Sequence, residues 1–281
     1  MGALSATSPA GSGPFDKGAV GRDFGRAAAD YETHAGLQRQ VADEVAEGLT
    51  QRLGAGPCGA LADLGCGTGL LGRSLPGHDL HPNPLVQLDL APAMVRRARR
   101  HGPAAVAGDA ERLPLAAGQL RAVASSLTLQ WCNDLGQVLA EAQRVLAPGG
   151  LFLAATVLKG TLGELAQALS AVDGGPAAVG PFRSAAAVRR ELTASGLEAT
   201  ACLEAPRIRQ AEDPAAVLRE LKGLGATAKA SPHSPAGLGG RRRLARVRAA
   251  YREAAGVPDG PVPATWNIAF LVAWKPGRPS S

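Results

Sequence analysis

The sequence is poor in the residues that define several classes of protein. Aromatic residues make up 4% of its 281 positions, and the four cysteines include no C-x-x-C pair. The five histidines form no H-x-x-x-H or H-E-x-x-H pattern, and no apolar run approaches the roughly 20 residues that span a membrane. These absences argue against a disulfide framework, a metal centre and a membrane enzyme. We therefore expect a cytoplasmic protein with reduced thiols and no metal.

The beginning of the chain differs in composition from the rest. Residues 1–20 lack the basic start and the continuous apolar segment of a signal peptide. Their glycine, serine and proline content predicts a disordered segment over 1–21. From Arg22 onward the composition changes, and 22–281 is expected to form one domain, because 46% hydrophobic residues suffice for a sizeable core. The net charge of +6 permits an acidic partner, but no aromatic-rich basic motif accompanies it, so nucleic-acid binding is not expected.

The stretch ALADLGCGTGL, beginning at Ala60, predicts a short buried strand that runs into a glycine-rich turn and then a helix. Glycine lets a ligand approach the backbone, and the N–H groups that open the helix offer an anion site. The dinucleotide fingerprint G-x-G-x-x-G requires a third glycine where Leu70 stands, so that reading fails. An ordinary glycine-rich turn and a nucleoside-binding turn both remain open at this point.

An acidic residue follows each of the next two predicted strands. Asp89 ends the strand Leu85–Leu90, 20 residues after Gly69, where a carboxylate accepts both ribose hydroxyls of a nucleoside or caps the next helix. Asp109 follows the short strand Ala104–Ala107. Ligands of open α/β sheets lie outside the carboxyl ends of the strands. We therefore favour one ligand site that the turn and both acids share.

The chain continues with the alternation of a doubly wound sheet. Leu120–Leu127 reads as a fourth strand, Asp134–Leu146 as an amphipathic helix, and Leu151–Val157 as a buried fifth strand after a Pro-Gly-Gly stop. Four strand-helix steps in a row predict a mostly parallel sheet with right-handed crossovers. The apolar stretch Trp266–Trp274 is expected to be a final, antiparallel strand.

These landmarks resemble those of class I S-adenosylmethionine (SAM) methyltransferases, a Rossmann-like α/β fold with a seven-stranded sheet and helices on both faces. In that family the G-x-G-x-G turn approaches the methionine part of SAM, and the acids lie near the ammonium, the ribose and the adenine amino group. The resemblance implies SAM as cofactor and a set of contacts: Asp63, Gly65, Cys66, Gly67, Thr68, Gly69, Asp89, Leu90, Met94, Asp109, Ala110, Ser126 and Leu127.

Three flanking stretches are more specific. FGRAAADYETHAGLQRQVAD at 24–43, LTLQWCNDLGQVLAE at 127–141 and LRELKGLGAT at 218–227 together resemble the BioC family, the malonyl-acyl-carrier-protein O-methyltransferases of biotin biosynthesis. The resemblance implies methyl transfer from SAM to the free carboxyl of a malonyl thioester on acyl carrier protein. Residues 158–260 are then expected to form a helical insertion that covers the substrate.

Candidate acceptor residues follow from this reading. An ionised carboxylate needs no strong base, which agrees with the absence of a Ser/His/Asp or Cys/His constellation. Tyr31, Gln130 and Trp131 are predicted to lie at the acceptor, although the pattern alone favours Tyr31 and Phe24 as a cover on an edge of the core. Basic residues are candidates for binding the acidic carrier, with a solvated helix face as the alternative: Arg26, Lys222, Lys229, Arg241, Arg242, Arg243, Arg246 and Arg248.

Two other functions remain compatible with the sequence. A SAM-dependent methyltransferase of a small molecule, such as a quinone or lipid precursor, would keep every core motif. A non-enzymatic SAM-binding or nucleic-acid-binding protein would account for the high pI of about 9.5.

Overall fold

The computed structural model describes residues 13–102, 104–175, 179–226 and 241–277. The helices are α1 Lys17–Ala27, α2 Tyr31–His34, α3 Gly36–Leu53, α4 Leu70–Ser74, α5 Pro92–Ala98, α6 Leu135–Val145, α7 Gly163–Asp173, α8 Ala185–Ala194, α9 Pro214–Gly223 and α10 Arg241–Ala255. The strands are β1 Gly56–Pro57, β2 Leu61–Leu64, β3 Leu80–His81, β4 Leu85–Asp89, β5 Ala105–Ala107, β6 Leu120–Ser126, β7 Leu146–Val157, β8 Glu198–Glu204, β9 Arg207–Ala211, β10 Val262–Trp266 and β11 Ile268–Trp274.

Seven of these strands form the central sheet, in the order β5-β4-β2-β6-β7-β11-β8. The first five run parallel, and β11 is antiparallel to both of its neighbours. The predicted mostly parallel seven-stranded sheet with an antiparallel closing strand is thus confirmed. The chain leaves β2 toward β4 on one side and reaches β6 on the other, so the carboxyl end of β2 borders a topological switch point.

Helices cover both faces of the sheet because alternate residues of each strand point to opposite sides. Along β7, Leu151 and Leu153 belong to the core that helix α3 completes, whereas Phe152 and Ala154 belong to the core under α6. Helix α3 contributes an apolar stripe of fully buried residues at four-residue spacing: Leu37, Val41, Val45 and Leu49. Each such leucine or valine contributes roughly 1.5–3 kcal/mol of hydrophobic stabilisation. The sheet and its strand ends are therefore rigidly supported.

The predicted disordered segment 1–21 extends too far into the chain. Residues 1–12 lie outside the described residues, but α1 begins at Lys17, where the Asp16 side chain accepts a hydrogen bond from Ala19 N and caps the helix. Phe15 and Val20 on either side of this cap are buried. Their spacing is that of a hydrophobic staple, which fixes the entry of the chain into the helix.

The predicted insertion 158–260 also needs correction. Strand β8 pairs with β11 inside the central sheet, and α8 packs on α6, so this part completes the fold. The stretch from Leu197 to Gln210 forms two strands, because Pro206 interrupts the ladder and β9 pairs with β10 in a separate ribbon. The apolar stretch Trp266–Trp274 likewise divides at Asn267 between β10 and β11.

Within the described residues, none of the helices has the length and hydropathy required to cross a membrane.

Candidate active site

The glycine-rich turn between β2 and α4 is built around a close approach of two loops. Gly65 has a φ of 69°, and a β-carbon on it would lie 2.1 Å from the Thr128 hydroxyl oxygen. Thr128 in turn donates to the Gly65 carbonyl over 3.1 Å. A larger residue at 65 would therefore both strain the backbone and push away the loop that follows β6.

Asp89 holds this turn in place from the end of β4. Its Oδ2 accepts from Gly67 N at 2.9 Å and its Oδ1 accepts from Ala91 N at 2.8 Å. Burial raises its pKa to about 6, although these two hydrogen bonds favour the charged form. Asp89 thus shapes the turn and also lines the cavity described below.

Asp63 is the most unusual acid of the structure. It is 1% exposed near the end of β2, and neither carboxylate oxygen has a hydrogen-bond partner among the described residues. Burial, and then the charge of Asp89, raises its pKa to about 7. A buried carboxylate without a partner is costly, so this position demands a donor from a ligand.

Three adjoining cavities surround these residues. The large cavity, of about 760 Å³, lies at the ends of β4, β5 and β6; the apolar cavity, of about 530 Å³, lies beside Trp131; and the small cavity, of about 310 Å³, lies against the glycine turn. The predicted cofactor contacts line the large cavity at Gly65, Gly67, Asp89, Leu90, Met94, Asp109, Ala110, Ser126 and Leu127. The small cavity adds Asp63, Cys66 and Thr68. The structure therefore brings twelve of the thirteen predicted cofactor contacts to connected spaces.

Gly69 is the exception, since it lines none of the three cavities. It forms the N-cap of α4 with a φ of 88°, and a β-carbon there would lie 3.0 Å from Gln87 Oε1. Its role is to end the turn and let α4 pack against β4.

Lys17 was missed in the sequence because it falls in the segment predicted to be disordered. Its ammonium lies 2.5 Å from Asp109 Oδ2 and 2.8 Å from Glu111 Oε2 at the wall of the large cavity. Asp109 Oδ1 accepts from Glu111 N at 3.0 Å. Helix α1 is thus tied across the large cavity by two ion pairs.

Trp131 is the centre of an aromatic cluster drawn from three distant segments. Its ring lies 5.4 Å from Phe15, 5.4 Å from Phe24 and 6.5 Å from Phe182, measured between centroids. Phe15 is also fixed by two hydrogen bonds to the Asn133 side chain, at 2.9 and 3.1 Å. Phe24 packs on this cluster and also lines the large and the apolar cavity.

Tyr31 lines all three cavities, and so stands where they meet. Burial, with the nearby charge of Asp89, raises the pKa of its phenol above the ordinary value. The hydroxyl therefore remains protonated and is available as a hydrogen-bond donor.

Gln130 borders the apolar cavity, but its amide is occupied by the protein. Nε2 donates to the Leu127 carbonyl at 2.6 Å, and Oε1 accepts from Thr156 Oγ1 and Val157 N. Leu127 has a φ of 52°, a strained conformation that this bond helps to hold. The geometry assigns Gln130 to positioning the wall of the cavity, and the predicted direct contact with the acceptor stays a prediction.

The predicted basic residues divide into two groups. Arg26 pairs with Asp23 at the exposed end of α1, and Lys222 is exposed on α9 between two residues that line the apolar cavity. On α10, Arg243 pairs with Asp173 and Arg248 with Asp213, so their charges are largely neutralised. Arg241 and Arg242 are exposed and make no ion pair with the described residues, Arg246 donates to the Val172 carbonyl, and Lys229 lies outside the described part.

Gln38 is a second residue that the sequence reading did not single out. It stands in the first turn of α3, lines both the apolar and the small cavity, and its Oε1 is buried without a partner. A polar residue directly after the buried Leu37, at the start of an amphipathic helix, was the available signal. Among the described residues, no group of three or more His, Cys, Asp or Glu side chains is arranged to hold a metal ion.

Comparison with known proteins identifies the fold. The Methyltransferase domain model matches residues 62–154, which span β2 to most of β7. The fold is similar to that of the YcgJ protein of Bacillus subtilis, at a TM-score of 0.56 and 14% identity over 82% of this chain and 98% of that one. It is also similar to the [4+2]-cyclase SpnF, at a TM-score of 0.51 and 20% identity over 85% of this chain and 83% of that one. The fold is that of class I SAM-dependent methyltransferases, and a fold by itself does not determine which reaction a protein catalyses.

Sequence relatives are more specific. The chain is 38% identical over 277 residues to the malonyl-[acyl-carrier protein] O-methyltransferase of Laribacter hongkongensis, covering 93% of this chain and 90% of that one. It is 39% identical over 279 residues to the enzyme of the same name from Halorhodospira halophila, covering 96% and 91%. The biotin biosynthesis bifunctional protein BioHC of Cellvibrio japonicus is 35% identical and aligns over 93% of this chain and 51% of its own. The chain belongs to the malonyl-[acyl-carrier protein] O-methyltransferase family.

Proposed function

We propose that this protein transfers the methyl group of SAM to the free carboxyl group of a malonyl thioester on acyl carrier protein, a step of biotin synthesis. The observation that carries the proposal is the junction of two unlike spaces at Tyr31. On one side are buried acids that require a cationic, hydroxyl-rich ligand; on the other is a cavity whose lining holds no ionised side chain among the described residues.

The residues present fit SAM. Asp63 would hold its ammonium, because both carboxylate oxygens are buried and lack partners. Asp89 would accept from the ribose hydroxyls, and Asp109 would lie at the adenine, with Lys17 balancing its charge. When bound, SAM supplies a methyl group already activated by a sulfonium.

The apolar cavity suits a carboxylate acceptor without a general base. A carboxyl group is ionised at neutral pH and needs no proton removed. Leu127, Phe182, Leu221 and Trp266 line this cavity, and a carboxylate that enters it would lose the hydration shell that shields the nucleophilic oxygen. Tyr31 would donate a hydrogen bond that orients the carboxylate without the strong grip of a cation.

The cavity lining also supports a docking surface for the carrier. Leu221 and Leu224 of the α9 segment line the apolar cavity, and Lys222 lies between them. A β-carbon on Gly225 would lie 2.9 Å from the Asp23 carbonyl, so the end of α1 with Arg26 adjoins this segment. Lys222 at this rim is exposed and would attract an acidic carrier, and the guanidinium of Arg26, which is exposed although it pairs with Asp23, would add to this attraction.

The test is incubation of the protein with SAM and malonyl-acyl-carrier protein, followed by mass spectrometry of the intact carrier. We expect a mass gain of one methylene unit, with lower turnover on malonyl-coenzyme A and on free malonate supplied in parallel. No methylation of any of the three substrates, with SAM bound, would contradict the proposal.

A separate measurement tests the docking surface. Arg26→Glu and Lys222→Glu together should raise KM for the carrier substrate about fivefold to tenfold at low salt, and less at high salt, with little change on free malonate, which has no carrier portion to reach the rim. Arg190→Glu is the matched control, since Arg190 is exposed on α8 away from the rim. An equal rise in KM in the Arg190→Glu control would show that the carrier responds to the net charge of the whole protein and not to this rim.

A further inference from the structure

Four buried oxygen atoms with no hydrogen-bond partner among the described residues belong to side chains that line the small cavity. They are both carboxylate oxygens of Asp63, the amide oxygen of Gln38 and the hydroxyl oxygen of Thr68. Asp63 and Gln38 reach the cavity from opposite elements, the end of β2 and the start of α3. All four atoms accept hydrogen bonds and only the Thr68 hydroxyl can also donate one, so the cavity favours a ligand that donates several.

The backbone fixes the position of Gln38. Leu37 and Val41, its neighbours on α3, are fully buried in the core, so the first turn of the helix is anchored to the sheet. Gln38 and Tyr31 are the two described side chains that line both the small and the apolar cavity. Gln38 therefore stands between the glycine turn and the space assigned to the acceptor.

The chemistry of the ligand follows from the acceptors. A primary ammonium carries three N–H donors and no acceptor, which matches two carboxylate oxygens and one amide oxygen. A hydroxyl or a neutral amide would leave the buried carboxylate of Asp63 without a counter-charge, which an ammonium supplies.

Resting on the proposed function, we infer that Gln38 is a cofactor ligand whose amide oxygen accepts a hydrogen bond from the ammonium at the methionine end of SAM, alongside Asp63. Because Gln38 also borders the apolar cavity, this bond sets the direction in which the methionine end, and with it the methyl group, faces the acceptor.

The test compares two ligands on two glutamine variants. S-adenosylhomocysteine carries the ammonium, whereas 5′-methylthioadenosine has the same adenosine and thioether but no amino-acid group. Calorimetric titration of Gln38→Met should show about tenfold weaker binding of S-adenosylhomocysteine, the loss expected for one hydrogen bond to a charged group. Binding of 5′-methylthioadenosine should change less than about twofold, since that ligand never reaches Gln38.

The matched control is Gln40→Met, two positions along the same helix. Gln40 is exposed and, within the described part of the chain, its amide donates to Glu44 one turn away, so both affinities should stay at the wild-type values. If Gln38→Met does not fold, Gln38→Asn withdraws the amide by one methylene unit and should show the same selective loss.

Other results overturn the inference. Equal weakening of both ligands would assign Gln38 to the general shape of the pocket. Unchanged S-adenosylhomocysteine affinity with a raised KM for the malonyl carrier would assign it to the acceptor. If the wild-type protein binds neither ligand, the cofactor assignment of the proposed function fails, and this inference fails with it. If the wild-type protein binds S-adenosylhomocysteine and the Gln38 variants bind it equally well, the inference alone fails.

Discussion

The two halves of the candidate active site are assembled in different ways. The large cavity takes its acids from successive strand ends, Asp89 after β4 and Asp109 after β5, so its layout follows the order of the chain. The apolar cavity collects Tyr31, Trp131, Phe182 and Trp266 from segments that are far apart in sequence. A parallel sheet delivers its strand ends to one edge by construction, whereas the second wall depends on how later elements pack. The first half can therefore be common to many reactions while the second determines the acceptor.

The largest expected effect is on cofactor binding, and it concerns Asp63 in the cofactor half of the site. Asp63→Asn should weaken S-adenosylhomocysteine binding about 100-fold, because hydrogen bonds to a charged group contribute roughly 1.5–3 kcal/mol each. At pH 8 the same variant should raise the free energy of unfolding of the ligand-free protein, since it removes a buried charge without a partner. Titration calorimetry and denaturant unfolding check the two signs. Asp109→Asn, at a partly exposed acid, should weaken binding only a few-fold; equal effects would contradict the special role of Asp63.

The next effect lies on the acceptor side. Tyr31→Phe should lower kcat/KM for the malonyl carrier about tenfold while changing S-adenosylhomocysteine affinity less than about threefold, because it removes a donor to the acceptor carboxylate. The other tyrosine of the chain is the control. Tyr251 donates to the Pro263 carbonyl at 2.8 Å, so Tyr251→Phe should lower stability by about 1 kcal/mol and leave kcat/KM unchanged. Loss of cofactor affinity in Tyr31→Phe would assign Tyr31 to cofactor binding and not to the acceptor.

The pH dependence of cofactor binding should be confined to the buried acids. In the ligand-free protein the pKa of Asp63 is about 7, and an ammonium beside it lowers that value, so binding releases a proton below pH 7. Affinity should therefore rise about fourfold between pH 6.5 and 8 and level off above. Calorimetry in buffers of different ionisation enthalpy measures the proton release. Asp63→Asn should remove most of the slope, and a slope that persists would assign it to another group such as Asp89.

The same shifts fix the sign of a stability effect. Since the pKa values of Asp63 and Asp89 are raised above the unfolded value of 3.8, their contribution to the stability of the ligand-free protein is present below pH 3.8. It is lost as the pH rises through about 6 and 7.

The smallest expected effect concerns Lys17, whose ion pairs hold helix α1 across the large cavity. Lys17→Met should speed S-adenosylhomocysteine dissociation about threefold, because the ion pairs to Asp109 and Glu111 are partly exposed and each contributes up to about 1 kcal/mol. Stopped-flow displacement measures the rate, with Arg22→Met as control, since Arg22 pairs only with the exposed Asp16. Tighter binding in Lys17→Met would show that the lysine competes with the ligand for Asp109.

The sequence predicts the first half well because its signals are local. A glycine turn after an apolar strand and acids after the next two strands need no knowledge of packing, and the structure brings them together. The buried oxygens of Asp63 and Gln38, which lack hydrogen-bond donors among the described residues, cannot be predicted in this way. Whether they find a donor depends on the side chains that other elements bring near them. Gln130 illustrates the limit: its amide faces Thr156 and Val157 of a neighbouring strand, a fact that its own stretch of sequence does not contain.

Composition misled the prediction at the beginning of the chain. The small residues near Gly13 favour disorder when averaged over 20 positions, yet Phe15, Asp16 and Val20 carry the pattern of a capped helix. Phe15 then gains its stability from Trp131 and Asn133, which lie more than 100 residues away. Local pattern was a better guide there than average composition.

Helix α1 has a consequence for the order of events in turnover. Lys17 and Val20 border the large cavity, and Phe24, on the same helix, forms part of the wall of the apolar cavity. Displacing this helix to exchange a spent cofactor would dismantle the surface that receives the carrier's acyl group. We therefore expect an ordered kinetic scheme in which SAM enters first and S-adenosylhomocysteine leaves last. In initial-rate experiments, S-adenosylhomocysteine should inhibit competitively toward SAM and non-competitively toward the carrier; competition toward both would indicate that α1 stays in place.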